Sequence, residues 1–431
     1  MALNVIKISR VSPATQLVDP LILPLTFFDF FWLKLNPTKR ITFYRLTESS
    51  RDSFYSVILP KLELSLSLVL THFLPLTGHL KWDPQDHKPH IIVLPQDSVS
   101  LTVSETEADF SLLSSKGLRH QTELLALAPE LPVYSDSASV FTLQITLFPN
   151  QGFCIGITLH HAAMDGKTVV RFLRSWAHIC KHGSMPQDFH LPMLLDRTAI
   201  NVPAELESKI FQLPLFLPQD NENLRTLKFL PVKNIDDVLR ITLELTLENV
   251  KKLRERAKTG STRSDLHLST FVVTYAYVLT CMVKARGVDA EQPVPFTYVA
   301  DFRDRLDPPV PVTYFGNCVL PIHISSYKAK TDSIRDLSSR GVESIWELYE
   351  EGFKKIERGT QKLIVAGSNK FKVYGTDFGW GRPVSTENIS NSVNVLFSLS
   401  ERRDETGGAE ISMCLKKCEM DVFVSVFQNG L

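Results

Sequence analysis

Apolar and polar positions along this chain switch between two periods, and the sharpest switch falls near the middle. Residues 151–158 form an apolar run that predicts a buried strand. Residues 167–181 then carry Val170, Phe172, Leu173, Trp176, Ala177 and Cys180 at helical spacing, which predicts a helix with one buried face. Between the two lies Leu159-His160-His161-Ala162-Ala163-Met164-Asp165-Gly166. Two histidines and an aspartate therefore occupy the turn between a core strand and a helix, where a reactive group is held rigidly yet stays open to a ligand.

Elsewhere strands and helices alternate without an internal repeat. The first half predicts strands over 5–11, 40–46, 74–80, 90–94, 99–103 and 140–148. A Pro-rich loop follows the first strand, and a helix over 50–73 is interrupted at Pro60. Over 183–232 the pattern weakens and prolines accumulate, which predicts a long crossover draped over the surface. The second half predicts strands over 238–245 and 295–301, with Thr246 capping a helix to residue 258. A basic loop over 254–263 then leads through Leu268-Ser269-Thr270-Phe271 into a helix to residue 286. Further elements are a helix over 333–355, a broken strand over 363–374, strands at 395–399 and 410–415 around a turn at 404–408, and a helix over 420–427. Residues 383–390 depart from a strand-like pattern. The alternation predicts a two-domain α/β protein with mixed sheets: residues 1–182, a crossover over 183–232, and residues 233–431.

Composition narrows the function. Of 431 residues, 44% are hydrophobic and 22% charged, the balance of a globular protein with a sizeable core. Lys plus Arg and Asp plus Glu are 47 each, so no basic excess points to nucleic acid. The N-terminus shows no signal-peptide pattern, and apolar runs such as residues 270–283 are too short to cross a bilayer. Most of the six cysteines sit in apolar runs, and Cys414 and Cys418 lack a second Cys/His pair, so no metal is expected. These features predict a reduced, cytoplasmic, monomeric enzyme without a membrane anchor.

The histidine turn suggests general base catalysis, since an imidazole titrates near pH 6.5 and can take a proton from a hydroxyl or amine. Asp165 either faces His161 or points away and pins the turn. The pattern alone also admits ordinary turn histidines, with Asp165 capping the helix.

Three stretches in order change this picture: His161-Ala162-Ala163-Met164-Asp165-Gly166, Tyr314-Phe315-Gly316-Asn317-Cys318 and Asp377-Phe378-Gly379-Trp380-Gly381. Together they resemble the plant BAHD acyltransferases, with HxxxD mid-chain and DFGWG near the C-terminus, and the resemblance spans essentially the whole chain. The Tyr314–Cys318 string is similar to the anthocyanin and flavonoid branch, especially phenolic glucoside malonyltransferases. Pro24-Leu25-Thr26-Phe27-Phe28-Asp29 supports this. The branch also holds hydroxycinnamoyl transferases and enzymes acting on amines.

The resemblance implies two similarly built α/β domains of mixed sheets flanked by helices, like chloramphenicol acetyltransferase, with a solvent channel between them. It implies His161 as general base and Asp165 as a structural partner of Arg303. Trp380 is a candidate oxyanion contact, while Asp377, Gly379 and Gly381 form a structural turn. For an acyl-CoA co-substrate, Ser269, Thr270, Lys258 and Arg263 are candidate contacts; no cofactor is bound permanently. Arg171, Arg174, Thr376 and Asn317 are candidate substrate contacts, the arginines for a malonyl carboxylate. The expected reaction is malonyl transfer from malonyl-CoA to a phenolic or flavonoid glucoside. The alternative is coumaroyl transfer to an anthocyanin glucoside or to an amine such as agmatine. A condensation domain of a peptide synthetase also fits the histidine motif but expects neighbouring carrier domains. A short connection after Cys318 leaves a binding protein without turnover as a third reading.

Overall fold

Strand β10 (Gly152–Leu159) is buried along its whole length and positions the histidine turn at its end. It is flanked in a computed structural model that describes the chain except residues 47–49, 84, 186–192, 203, 211–225, 230–236, 261–267, 289–295, 325–362 and 390–395. In chain order its first-half companions are β1 (Asn4–Val11), β2 (Leu21–Pro24), β3 (Thr38–Arg45), β4 (His79–Lys81) and β5 (His90–Val93). They are followed by β6 (Val99–Glu105), β7 (Arg119–His120), β8 (Ser137–Ser139) and β9 (Phe141–Phe148). The second half supplies β11 (Val238–Leu245), β12 (Phe296–Asp301), β13 (Val319–Ile324) and β14 (Leu363–Gly367). It ends with β15 (Ser385–Ile389), β16 (Leu396–Ser400) and β17 (Ala409–Lys416).

Both large sheets are mixed. The first runs β1-β6-β9-β10-β3-β15, with β6 and β9 parallel; the second runs β13-β12-β14-β16-β17-β11-β7, with β14 parallel to both neighbours. A four-stranded sheet, β2-β5-β4-β8, packs beside the first. Helix α1 (Arg51–Leu70) and helix α2 (Gly166–His182) cover one face of the first sheet, where Leu62, Leu66, Val69, Phe172 and Trp176 join the main core. Helix α3 (Leu247–Thr259), α4 (Thr270–Ala285) and α5 (Lys417–Asn429) cover the second sheet. Mid-strand Gly156 has a backbone reason: a Cβ there would lie 1.9 Å from the Leu127 carbonyl oxygen, so only glycine lets that segment cross β10.

The halves exchange strands. Residues 383–390, expected to be irregular, contain β15, which pairs with β3 from Ser385↔Phe43 to Ile389↔Lys39 in the first sheet. In return β7 pairs with β11 in the second. The pattern hid β15 because its inward residue is a charge. Glu387 is 1% exposed and accepts from Arg119 and Arg240, both at 2.9 Å, from Thr242 at 2.8 Å and from Ser412 at 2.6 Å. Burial raises its pKa, but the two guanidiniums win and hold it at about 2.

Other expectations need correction. Residues 74–80 are a 3-10 turn over Leu74–Thr77 followed by the short β4, because Pro75 cannot donate to a ladder. The Pro-rich loop after β1 holds β2 and a helical turn over Phe27–Phe30, closed by a capping box between Thr26 and Asp29. Pro60 does not break α1: a wider π turn over Phe54–Ile58 precedes it, and the proline occupies the first turn of the segment Leu59–Leu70. At 20 residues, α1 is long and apolar enough to cross a bilayer by length and composition, contrary to the reading of the apolar runs; here one face is buried against α2. The basic residues Arg254, Arg256 and Lys258 lie on α3, not in a loop. The helix expected over 333–355 lies outside the described residues.

Candidate active site

The turn after β10 is built around Asp165. Its Oδ1 accepts from the Thr168 N–H at 3.1 Å and the Thr168 hydroxyl at 3.2 Å, capping α2. Its Oδ2 accepts from the Cys318 N–H at 3.2 Å and lies 2.7 Å from Arg303 Nη1. The aspartate therefore points away from the His161 ring and ties the turn to the second half of the chain. Burial works against the Arg303 charge, but Asp165 and then Asp301 hold its pKa above the ordinary arginine value.

The two histidines have separate environments. His160 is fully buried; its Nδ1 accepts from the Ala162 N–H at 3.3 Å and its ring faces Phe229 at 5.1 Å. Burial, helped by the neighbouring His161, pushes its pKa down to about 3, so it stays neutral and structural. His161 is half-buried, and its ring stacks on Trp32 with centroids 4.1 Å apart and planes 9° apart. Burial lowers its pKa below the ordinary imidazole value, against upward pulls from its own carbonyl, Asp165 and the Asn317 side chain. A neutral imidazole at neutral pH is the form a general base requires.

Asn317 fixes that imidazole through the backbone. Its Nδ2 donates to the His161 carbonyl at 3.0 Å and to Asp29 Oδ1 at 3.0 Å, and its backbone N–H donates to the same Asp29 oxygen at 2.9 Å. Asp29 in turn closes the Thr26 capping box at 2.9 and 2.8 Å. Gly316, just before it, has φ +148, and a Cβ there would sit 2.6 Å from Arg197 Nη1. That guanidinium holds the Tyr314 hydroxyl at 2.9 Å and the Phe315 carbonyl at 2.7 Å. Glycine thus lets three segments converge behind His161.

The sequence matches the transferase family model over residues 1–360 and 325–429. It is 65% identical to a BAHD acyltransferase of Arabidopsis thaliana, covering 100% of this chain and 99% of that protein. The chain belongs to the BAHD acyltransferase family. It is also 60% identical to the agmatine coumaroyltransferase and 47% identical to phenolic glucoside malonyltransferase 2 of the same organism, each over 100% of both chains. Its fold is similar to the crystal structure of vinorine synthase, with TM-score 0.72 at 19% identity over 99% of this chain and 98% of that one.

In this BAHD acyltransferase several expected contacts lie elsewhere. Trp380 packs edge-on against Phe153 at 6.2 Å and under Lys61 Nζ at 5.4 Å. Phe153 is at the start of β10 and His161 follows its end, roughly 20–25 Å away by strand rise. Trp380 thus braces the far end of the strand and makes no oxyanion contact. Asn317, expected at the substrate, is fully buried and bonded to Asp29 and His161. Its role is positioning.

In the DFGWG turn Asp377 Oδ1 accepts from the Gly379 and Gly381 N–H groups at 2.8 and 3.0 Å, and Lys181 pairs with Oδ2 at 2.6 Å. Thr376 is buried against Tyr44, whose hydroxyl reaches its side chain at 3.1 Å. Arg171 and Arg174 lie on α2 and both interact within the protein; burial lowers the Arg171 pKa, with Arg303 and Arg174 adding repulsion. Ser269 caps α4 by accepting from the Val272 N–H at 3.3 Å, Thr270 begins that helix, and Lys258 is exposed and pairs with Glu255 at 3.0 Å. Arg263 lies outside the described residues.

The sequence reading quoted Asp29 only within the Pro24–Asp29 string and did not single out Trp32. The capping-box spacing of Thr26 and Asp29 was the available signal, but it predicts a helix start and not a partner 288 residues away.

Proposed function

We propose that this acyltransferase moves the malonyl group of malonyl-CoA onto a sugar hydroxyl of a phenolic or flavonoid glucoside. The carrying observation is His161: neutral, stacked on Trp32, anchored through its carbonyl by Asn317, and set at a rigid strand end. The imidazole takes the acceptor O–H proton as the oxygen attacks the thioester carbonyl. The tetrahedral intermediate then collapses, the C–S bond breaks, and the imidazolium returns the proton to the leaving sulfur. Ester and free CoA result, and no acyl-enzyme is needed. Asp165 and Arg303 keep the turn in place and touch neither reactant.

The malonyl donor is supported by relatives at 47%, 45% and 44% identity named as malonyltransferases. The 60% identical agmatine coumaroyltransferase favours a second reading, coumaroyl transfer to an amine, by the same base. An assay of CoA release from malonyl-CoA and coumaroyl-CoA, each with a phenolic glucoside and with agmatine, separates them. Turnover of malonyl-CoA with the glucoside is the expected result. Turnover confined to coumaroyl-CoA with agmatine overturns the malonyl reading and leaves the His161 mechanism intact.

A further inference from the structure

The imidazole of His161 rests on an indole and, among the described residues, pairs with no carboxylate. Trp32 follows the helical turn over Phe27–Phe30 and is 6% exposed. Its ring and that of His161 lie nearly parallel, 9° apart, with centroids at 4.1 Å. Neutral aromatic pairs usually keep their centroids roughly 4.5–7 Å apart, offset or edge-on. The closer, flatter arrangement is the one in which a positive ring meets the negative face of an indole.

The indole is fixed from two sides. The Trp32 backbone N–H donates to the Asp29 carbonyl at 3.1 Å, and its Nε1–H donates to the Val319 carbonyl at 3.2 Å. Three successive residues of the second half therefore hold the turn: Asn317 binds the His161 carbonyl, the Cys318 N–H binds Asp165, and Val319 holds the indole.

The charge of the working base needs such a neighbour. His161 Nδ1 is buried and has no hydrogen-bond partner among the described residues, so a proton from the acceptor enters at Nε2. Until that proton passes to the leaving sulfur, the ring is positive. The titratable and charged groups around it are His160 and Asp165 on its own turn, Asp29 behind Asn317, and Cys318 and Arg303 behind Asp165. His160 is neutral, and burial keeps the Cys318 thiol protonated. The Asp165 carboxylate is spent on Thr168, Cys318 and Arg303, and that of Asp29 on Thr26 and Asn317. A half-buried positive ring without a paired carboxylate is costly unless another group in contact stabilises it.

We infer that Trp32 is a positioning residue for the reaction, whose π face stabilises the imidazolium at His161 and so sets the strength of the base in place of a hydrogen-bonded carboxylate. The catalytic use of that charge rests on His161 as the base, the reading proposed above; the stabilisation of the charged ring does not. Trp32 acts through His161.

The test is a titration of the His161 ring by NMR in full-length protein labelled with ¹³C-histidine, its signal assigned by its loss in His161→Asn. Wild type is compared with Trp32→Phe, Trp32→Leu and protein carrying ring-fluorinated tryptophan at position 32. Fluorine withdraws charge from the indole face while keeping its shape and its exclusion of water, so this arm decides even if Trp32→Leu does not fold. The expected result is a His161 pKa lowered by about 0.4–1.5 units in Trp32→Leu, with Trp32→Phe between it and wild type and a graded fall with added fluorine. The acid limb of kcat/KM moves to lower pH by the same amount, and kcat falls about 2–30-fold with KM within about twofold. A His161 pKa that does not fall with fluorination overturns the inference and leaves the stack as packing alone. A loss confined to KM overturns it too, by placing Trp32 against substrate. A graded pKa shift together with a His161→Ala variant of near wild-type rate upholds the stabilised imidazolium and refutes the base reading alone.

Discussion

Asp165 and Arg303 meet at 2.7 Å, each 1% exposed, and the remaining hydrogen bonds of the carboxylate go to Cys318 and Thr168, none to His161. The second polar residue of the HxxxD motif is therefore an architectural ion pair between the halves of the chain, not a proton relay. Among the described residues Arg303 Nε and Nη2 are buried without partners, so Asp165 is the main compensation for that charge, with Asp301 Oδ1 at 3.3 Å.

Asp165→Asn should destabilise the fold by about 3–5 kcal/mol, since it leaves Arg303 buried and poorly paired. The double variant Asp165→Asn/Arg303→Met should recover much of that loss, with a coupling energy visible in a urea-denaturation cycle. Additive losses would show that the two charges do not act as a pair.

Asn317→Ala should lower kcat more than it raises KM, because it frees the His161 carbonyl without touching the reactants. A displacement near 1 Å costs roughly 10²-fold in rate. Asp29→Asn should act in the same direction through the same hydrogen bonds. A change confined to KM in steady-state kinetics would instead place Asn317 against substrate.

Acid should weaken both rate and stability. The depressed His161 pKa places the acid limb of kcat/KM below about pH 6.5. His160, held at about 3, stays neutral in the folded chain while the unfolded chain takes up its proton below about 6.5. Its stabilising contribution is thus complete above pH 6.5 and lost as pH falls toward 3, by up to about 4–5 kcal/mol. Glu387, held at about 2, adds a loss in the same direction below about pH 4.5. Thermal unfolding across pH 3–8 should show this slope, reduced in His160→Asn.

The strand–turn–helix bearing His161 and Asp165 was legible because the apolar period changes sharply there and the cap residue sits where a helix needs one. The Asp165–Arg303 pair was legible through family resemblance, not through periodicity. What stayed hidden depends on distant register. Trp32 and Asp29 reach His161 and Asn317 only once the helical turn over Phe27–Phe30 meets the histidine turn and the Tyr314–Cys318 segment. Glu387 made β15 look irregular because its partners, Arg119 and Arg240, come from other strands. Trp380 was misassigned because a motif name carries no distance from the base.

The central claim is that His161 carries the proton. It is tested most directly by single-turnover CoA release with saturating donor and acceptor in wild type and His161→Ala, both checked for donor binding and thermal unfolding. The account predicts a loss of about 10²–10⁴-fold in rate with donor affinity and fold unchanged. A variant that retains rate within about tenfold would contradict it, and the base would have to be another residue.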